Sequence, residues 1–428
     1  MRTIDIVENH AGAADDARGH EWLRWAIALW LAFGCALVVK AAVEPVKHSV
    51  YPCFELAARG WSAEENIYEI ARGYRYSPAF AMSFNAFAAF PARLGGMAWQ
   101  LLNVSALFAG LWLLVRDVLP GRWDDRARAA FLALALIGSA RGLWAGQTTS
   151  LCFAFAAFAA WGIVHKRWWL AAMCLAIPVY IKVWPIAFAL LAMACWPRRL
   201  IGRFVLCALL PAAMPFLSKP PHVVVWQYAN WAEFLCGPCL GRLGTYRDFW
   251  TILAAFRVPP SPRVYTVLQL ATAAGVAAWC VARRLKGETD RGLLAFTLAA
   301  WAAWQLSFGP ATERNTYGLA APMLAWAVVS SFREDRLRWT AAAAWGCNAV
   351  LGGTGAFERL FDRAVPQAEA LAPAGVLLLL AWLAARPCDR RASAIDSKPE
   401  AKAGTRGCDE ATRIWRHEEQ DDRATAAA

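Results

Sequence analysis

The side chains best suited to acid–base work or anion binding recur where apolar runs of this chain begin and end. Gly146-Gln147 opens one such run, the basic hinge His165-Lys166-Arg167 follows it, and Lys182-Val183-Trp184-Pro185 closes the next. The Gln147 amide donates and accepts at once, which suits sugar hydroxyls. Its alternative role is to cap the helix that begins near Thr148, helped by Thr149 and Ser150. Lys182 places an ammonium at a helix boundary, where phosphate binding and interface anchoring are the competing roles. Arg141 offers a phosphate contact or snorkels towards lipid headgroups. Glu313 and Arg314, within Gly309–Tyr317, would point in different directions on a helix and need not pair. They read as a polar contact site between two apolar runs, or as an ordinary loop with a helix cap.

The elements that position these groups are apolar. Of 428 residues, 59% are hydrophobic and 24 are Trp, against about 45–50% apolar in an ordinary soluble domain. Repeated uncharged runs approach the roughly 20 residues that span a bilayer, so the fold class is all-α, a polytopic bundle of about 11–13 membrane segments. The first span is Trp25–Val43, too long for a signal peptide and without a small-residue cleavage site. Further spans are expected at about 77–92, 97–115, 129–143, 150–164, 168–182, 184–197, 200–217, 263–282, 292–308, 316–332, 338–353 and 370–386. Thirteen simple crossings do not put both long loops outside and all basic loops inside, so 77–92 or 184–197 is expected to be re-entrant or broken. The domain reading is a cytoplasmic segment at 1–22, a membrane domain at 23–386 and a disordered, charged tail at 387–428. Long extracytoplasmic loops at 44–76 and 218–262 interrupt the spans.

The net charge of +12 does not indicate nucleic acid. Its residues punctuate the spans, at Arg93, Arg198-Arg199 with Arg203, Arg283-Arg284-Lys286 and Arg333 through Arg338, as expected of loops that anchor a membrane protein on its cytoplasmic side. Most of the 12 Cys lie inside apolar spans as small hydrophobes. Cys236-Gly-Pro-Cys239 has redox spacing but no βαβ context, and reads as a chance pair or a local disulfide. No internal repeat is evident, which weighs against secondary transporters.

The Gly-Gln block, the closing Lys-Val-Trp-Pro and the first loop together resemble family 87 glycosyltransferases, polytopic enzymes of the GT-C type. In the first loop the amphipathic segment Phe54–Trp61, the Asn66-Ile67-Tyr68 element and Tyr76-Ser77-Pro78 match the family layout. The resemblance covers about residues 25–335. It implies inverting transfer of a hexose, with mannose as one choice, from a polyprenyl-phosphate donor to a lipid or glycan acceptor. Such a donor chemically requires no metal or nucleotide, and no cofactor is expected. One carboxylate removes the acceptor proton while basic or hydrogen-bonding groups stabilise the departing phosphate. The Asp that the family carries in the first loop is absent; His48-Ser49-Val50-Tyr51 stands there, leaving Glu55 or His48 as base. Tyr76, Arg141, Gln147, Lys182, Glu313 and Arg314 are the substrate-binding candidates. Trp226, Tyr228, Asn230, Trp231 and Glu233 in the second loop read as a sugar-stacking surface or an interfacial belt.

The implied location is a multi-pass protein of a bacterial plasma membrane, in contact with membrane lipids. A transporter or flippase of a lipid-linked substrate is the other function class, and it would place charges and broken helices near the midplane. The missing Asp raises a third, an inactive relative.

Overall fold

The computed structural model describes residues 2–236, 246–310, 312–334, 336–351 and 370–389. It is an all-α bundle. In chain order its helices are α1 (Arg2–Val43), α2 (Tyr51–Ala63), α3 (Ile67–Ile70), α4 (Pro78–Ala88), α5 (Ala92–Leu113), α6 (Asp125–Trp144), α7 (Thr149–Val164) and α8 (Trp168–Ile181). There follow α9 (Ile186–Cys195), α10 (Pro197–Ala213), α11 (Pro221–Cys236), α12 (Phe249–Ala255), α13 (Pro262–Leu285), α14 (Asp290–Phe308), α15 (Ala321–Glu334), α16 (Arg338–Gly346) and α17 (Leu371–Ala385).

Local signals set the helix starts. Asp124 accepts from the Ala127 N–H at 2.8 Å to begin α6, and Thr289 Oγ1 accepts from the Gly292 N–H at 3.1 Å to begin α14. Ser77 before Pro78 and Ser261 before Pro262 combine a hydroxyl cap with a proline at the first helical position. Small residues then let the helices approach closely. A methyl added at Gly110 would sit 3.1 Å from the Ala154 Cα, and one at Gly162 3.2 Å from the Ala171 backbone nitrogen.

Among the described residues five segments are long and apolar enough to cross a membrane: Arg18–Val43, Ala92–Val118, Asp125–Trp144, Pro197–Leu217 and Pro262–Leu285. Four shorter apolar helices, α7, α8, α9 and α17, pack among them. The segments Pro197–Leu217 and Pro262–Leu285 are the least enclosed, with 17% and 11% of their apolar windows buried. Apolar surface left open over that length suits lipid rather than water.

The bundle has two chemically different ends. At one, the basic hinge and loops meet: Lys166 and Arg284 both pair with Asp290, at 3.1 and 2.7 Å, and Asp117 accepts from the Trp161 indole at 2.8 Å. Arg333 pairs with Asp124 at 3.0 Å, and Arg386 with Glu334 at 3.1 Å. At the other end the two long loops gather. Lys219 donates to the Ser62 carbonyl at 2.7 Å and pairs with Glu64 at 3.0 Å, Gln227 donates to the Glu65 carbonyl, and Phe234 stacks on Tyr68.

The structure gives detail to three of the expected segments. Of the two short candidates, 77–92 is the one that returns to the end it starts from: α4 has 11 residues, about 16 Å of helix. Both its flanks lie at the loop end, where Ser77 donates to the Tyr180 carbonyl and the Tyr51 hydroxyl to the Phe87 carbonyl. With α4 removed from the crossings, the start of α1, where His20 contacts Asp125, and the end of α17 fall at the same basic end. The first long loop holds α2, over the amphipathic Phe54–Trp61 segment, and α3, and the described part of the second holds α11 and α12. The C-terminal segment is held at its beginning: Arg283 donates to the Arg386 and Pro387 carbonyls, and the Thr289 N–H to the Asp389 carbonyl. The rest of it, and Cys239, lie outside the described residues; Cys236 is exposed.

Candidate functional site

The loop end encloses a cavity of about 450 Å³, and its walls come from every polar segment of that face. From α2 come Val50, Cys53 and Phe54, which share one helix face by their spacing. The first loop adds Arg75 and Tyr76. Gln147 enters from the α6–α7 turn, and Lys182 with Trp184 from the α8–α9 turn. Phe234 closes α11, Trp304 and Gln305 end α14, and Glu313 and Thr316 complete the wall.

Gly146 explains how Gln147 reaches this place. It adopts φ +68°, and its N–H donates to the Leu143 carbonyl while that of Gln147 donates to the Gly142 carbonyl. These are the two bonds of a left-handed helix end that favours glycine. The Gly146 carbonyl accepts from the Trp99 indole at 2.8 Å, which fixes the turn. Thr148 rather than Gln147 holds the N-cap position of α7, without a side-chain cap. Gln147 is 7% exposed and lines the cavity.

Lys182 follows the last residue of α8 in extended backbone, φ −138° and ψ 145°. Among the described residues no carboxylate pairs with it, and its ammonium lies 5.5 Å from the centre of the Tyr76 ring. The 14 residues of α8 and 10 of α9 give helices of about 21 and 15 Å, both shorter than the hydrocarbon core. With the basic hinge His165–Arg167 at headgroup depth, the Lys182 turn is sunk below the opposite membrane surface. An ammonium at such depth is costly unless it has a task.

Gln305 carries a second open polar group. It is 1% exposed, and neither its Oε1 nor its Nε2 has a hydrogen-bond partner. Orphaned buried amides are rare because each costs about 1–3 kcal/mol.

Arg75 donates to the Tyr246 hydroxyl at 2.9 Å and stands 3.7 Å from Glu313. Glu313 begins the 3₁₀ turn Arg314–Leu319, and its N–H donates to Thr316 Oγ1 at 3.3 Å. The described lining thus holds two cations, Arg75 and Lys182, and one carboxylate, a balance of one positive charge. Burial raises the Tyr76 phenol above its usual range, opposed by the Lys182 ammonium, and pushes the Cys53 thiol up to about 11. Both stay protonated at neutral pH.

Of the sequence candidates, Tyr76, Gln147, Lys182 and Glu313 therefore share one cavity. The others sit elsewhere. Glu55 pairs with Arg59 at 2.7 Å, one position on from the α2 face that meets the cavity, and is not among the lining residues. His48 is exposed at φ +51°, with its carbonyl accepting from Lys40. Arg141 donates to Asn315 Oδ1 at 3.0 Å, joining α6 to the Glu313 segment. Arg314 is half-buried outside the lining. In the second loop Trp226, Tyr228 and Trp231 do not line the cavity; Phe234 and Leu235 do. The sequence reading missed Arg75 and Gln305. Gln305 carried a signal, since it is an amide within an apolar helix, three residues before its last residue Phe308, while Arg75 among four nearby Tyr and Arg residues carried none.

A model of glycosyltransferase family 87 matches residues 74–308, more than half the chain. The protein belongs to glycosyltransferase family 87. Among curated proteins none matches it. Membership makes it a membrane glycosyltransferase, with a sugar donor and an acceptor as its substrates. The matched region begins at Tyr74 and ends at Phe308, so it contains Arg75, Tyr76, Gln147, Lys182 and Gln305.

Proposed function

We propose that this protein is a hexosyltransferase that takes its sugar from a polyprenyl-phosphate donor and inverts the anomeric centre, with the loop-end cavity as active site. The feature that carries this reading is the Lys182 ammonium, which lines the cavity at the end of a helix too short to span the hydrocarbon and pairs with no carboxylate among the described residues. A lipid-linked sugar phosphate brings one negative charge to that depth, and a water-soluble sugar nucleotide does not. The lining balance of one positive charge matches such a phosphodiester. Val183, Trp184, Ile186 and Ala187 give the adjoining wall the apolar character an isoprenoid needs. Gln147 supplies an amide for sugar hydroxyls, and Gln305 brings to the wall a buried amide with no partner among the described residues.

In this reading Lys182 neutralises charge on the departing phosphate as the C1–O bond breaks, where a preoriented group contributes most. The acceptor is a lipid or glycan that reaches the cavity from the loop face. Membership of a glycosyltransferase family favours transfer over transport. The protein is expected in a bacterial plasma membrane with the cavity outside, because the basic loops lie at the other end.

The test is transfer by the purified protein in lipid nanodiscs, supplied with radiolabelled undecaprenyl-phosphate mannose or glucose and a panel of octyl hexosides. Transfer from the lipid donor and not from nucleotide sugars is the expected result. Equal transfer from a nucleotide sugar, or movement of the intact lipid across the bilayer without bond exchange, would refute the reading.

A further inference from the structure

We infer that Glu313, and not a carboxylate of the first loop, is the general base that takes the proton from the acceptor hydroxyl. This inference rests on the polyprenyl-phosphate reading of the same cavity. It names the residue that the loss of the first-loop Asp leaves unassigned.

The argument proceeds by chemistry. Inverting transfer breaks the acceptor O–H bond, forms a bond from that oxygen to C1 and breaks the bond from C1 to the phosphate oxygen. The phosphate leaves with the electron pair, and the proton must go to a group beside the incoming oxygen. Of the described titratable residues lining the cavity, Arg75 and Lys182 are cations, and Cys53 and Tyr76 are weak acids that hold their protons at neutral pH. No His is among them. Glu313 is the one carboxylate in the described lining.

Its setting is that of a positioned group. Arg75 stands 3.7 Å from one carboxylate oxygen and is itself bonded to the Tyr246 hydroxyl at 2.9 Å. The Glu313 N–H bonds Thr316 Oγ1, and the Thr316 N–H donates to the Glu313 carbonyl at 2.9 Å. The segment is tied on both sides. The Arg247 N–H donates to the Thr312 carbonyl at 2.8 Å, the Tyr317 hydroxyl to the Arg247 carbonyl at 2.9 Å, and Arg141 to Asn315. Yet the Glu313 side chain is 43% exposed, more open than Arg75 at 26%. It is therefore fixed in place but accessible from the loop face, where a water-borne or headgroup-level acceptor arrives.

The experiment uses the full-length protein in nanodiscs and the donor–octyl hexoside pair found in the transfer assay. Glu313→Gln is expected to lower the transfer rate at least about 100-fold, while binding of undecaprenyl phosphate, read by thermal shift, stays within twofold. Formate is expected to restore part of the rate to Glu313→Ala, and Glu313→Asp to retain more activity than Glu313→Gln. A merely structural role would move none of these in that way. Transfer within threefold of wild type in Glu313→Gln, or a 100-fold loss in Glu55→Gln or His48→Ala instead, would overturn the assignment and leave the donor reading intact. A wild-type protein that neither binds undecaprenyl phosphate nor transfers sugar removes the reading itself, and the proposal with it. The carboxylates Glu358, Asp362 and Glu369, outside the described residues, serve as further Gln or Asn controls; a 100-fold loss in one of them with Glu313→Gln active would also overturn it.

Discussion

The two ends of this bundle use charge in opposite ways. At the basic end cations are closed off in pairs: Arg283 with Glu288 at 2.5 and 2.7 Å, both nearly buried, and Lys166 and Arg284 on Asp290. At the loop end, among the described residues, Lys182 has only an aromatic ring beside it and the Gln305 side chain has no hydrogen-bond partner. Charges paired within the protein hold helices together and are spent there. Groups left open, the buried Gln305 amide above all, destabilise the empty protein and become useful only when a ligand completes them. The difference separates scaffold from site without reference to any motif.

The comparison can be broken by mutation at either end. Besides Glu313→Gln, the largest effect is expected at the basic end. Glu288→Ala leaves Arg283 buried and unpaired, a loss of about 3–5 kcal/mol, and should lower the melting temperature in detergent while the folded fraction still transfers sugar. A double change of Arg283 and Glu288 to Met and Leu should recover most of that stability. If Glu288→Ala instead abolishes transfer in folded protein, the two ends are not separable.

Lys182→Ala should act in the other sense. Transfer is expected to fall about 100- to 1000-fold, with weakened undecaprenyl phosphate binding and an unchanged melting temperature. A melting temperature lowered with the activity would place Lys182 in the scaffold. Gln305→Leu sharpens the same contrast at smaller scale. Removing an orphaned amide should leave stability equal or raised, whereas losing one sugar contact of about 1–1.4 kcal/mol should slow transfer about five- to tenfold. Unchanged transfer would make Gln305 a packing defect rather than a contact.

The smallest effect concerns Cys53. With its thiol near 11, its alkylation by iodoacetamide in a single-cysteine background should climb about tenfold per pH unit from 7 to 10, because only the thiolate reacts. Undecaprenyl phosphate in the cavity should slow it. Labelling that is fast and flat across this range would show that Cys53 is not enclosed.

Much of the fold was legible. Apolar runs of membrane length, basic loops and the two polar loops are composition written along the chain, and the bundle follows them. The re-entrant α4 was foreshadowed by the parity of the crossings, but its choice over 184–197 needed the structure. Half of the site was legible for the same reason. Gln147 and Lys182 mark themselves as polar residues at the ends of apolar helices, where their types are unexpected. Glu55 and Glu313 carried no such mark relative to each other, since a carboxylate in a polar loop is ordinary anywhere.

What decided between them was direction. Glu55 follows Phe54 on α2, and a step of one residue on a helix turns the side chain away from the face that its neighbour presents. It meets Arg59 one turn on. Glu313 is far from the first loop in sequence, yet Arg75 and Tyr246 bring that loop to it. The sequence by itself determined that this protein lives in a membrane, how its helices are spaced and which end is basic, because hydrophobicity and charge act locally. Only the tertiary structure decided which polar groups share a cavity and which are already paired, because those depend on contacts between residues up to 238 positions apart, as between Arg75 and Glu313.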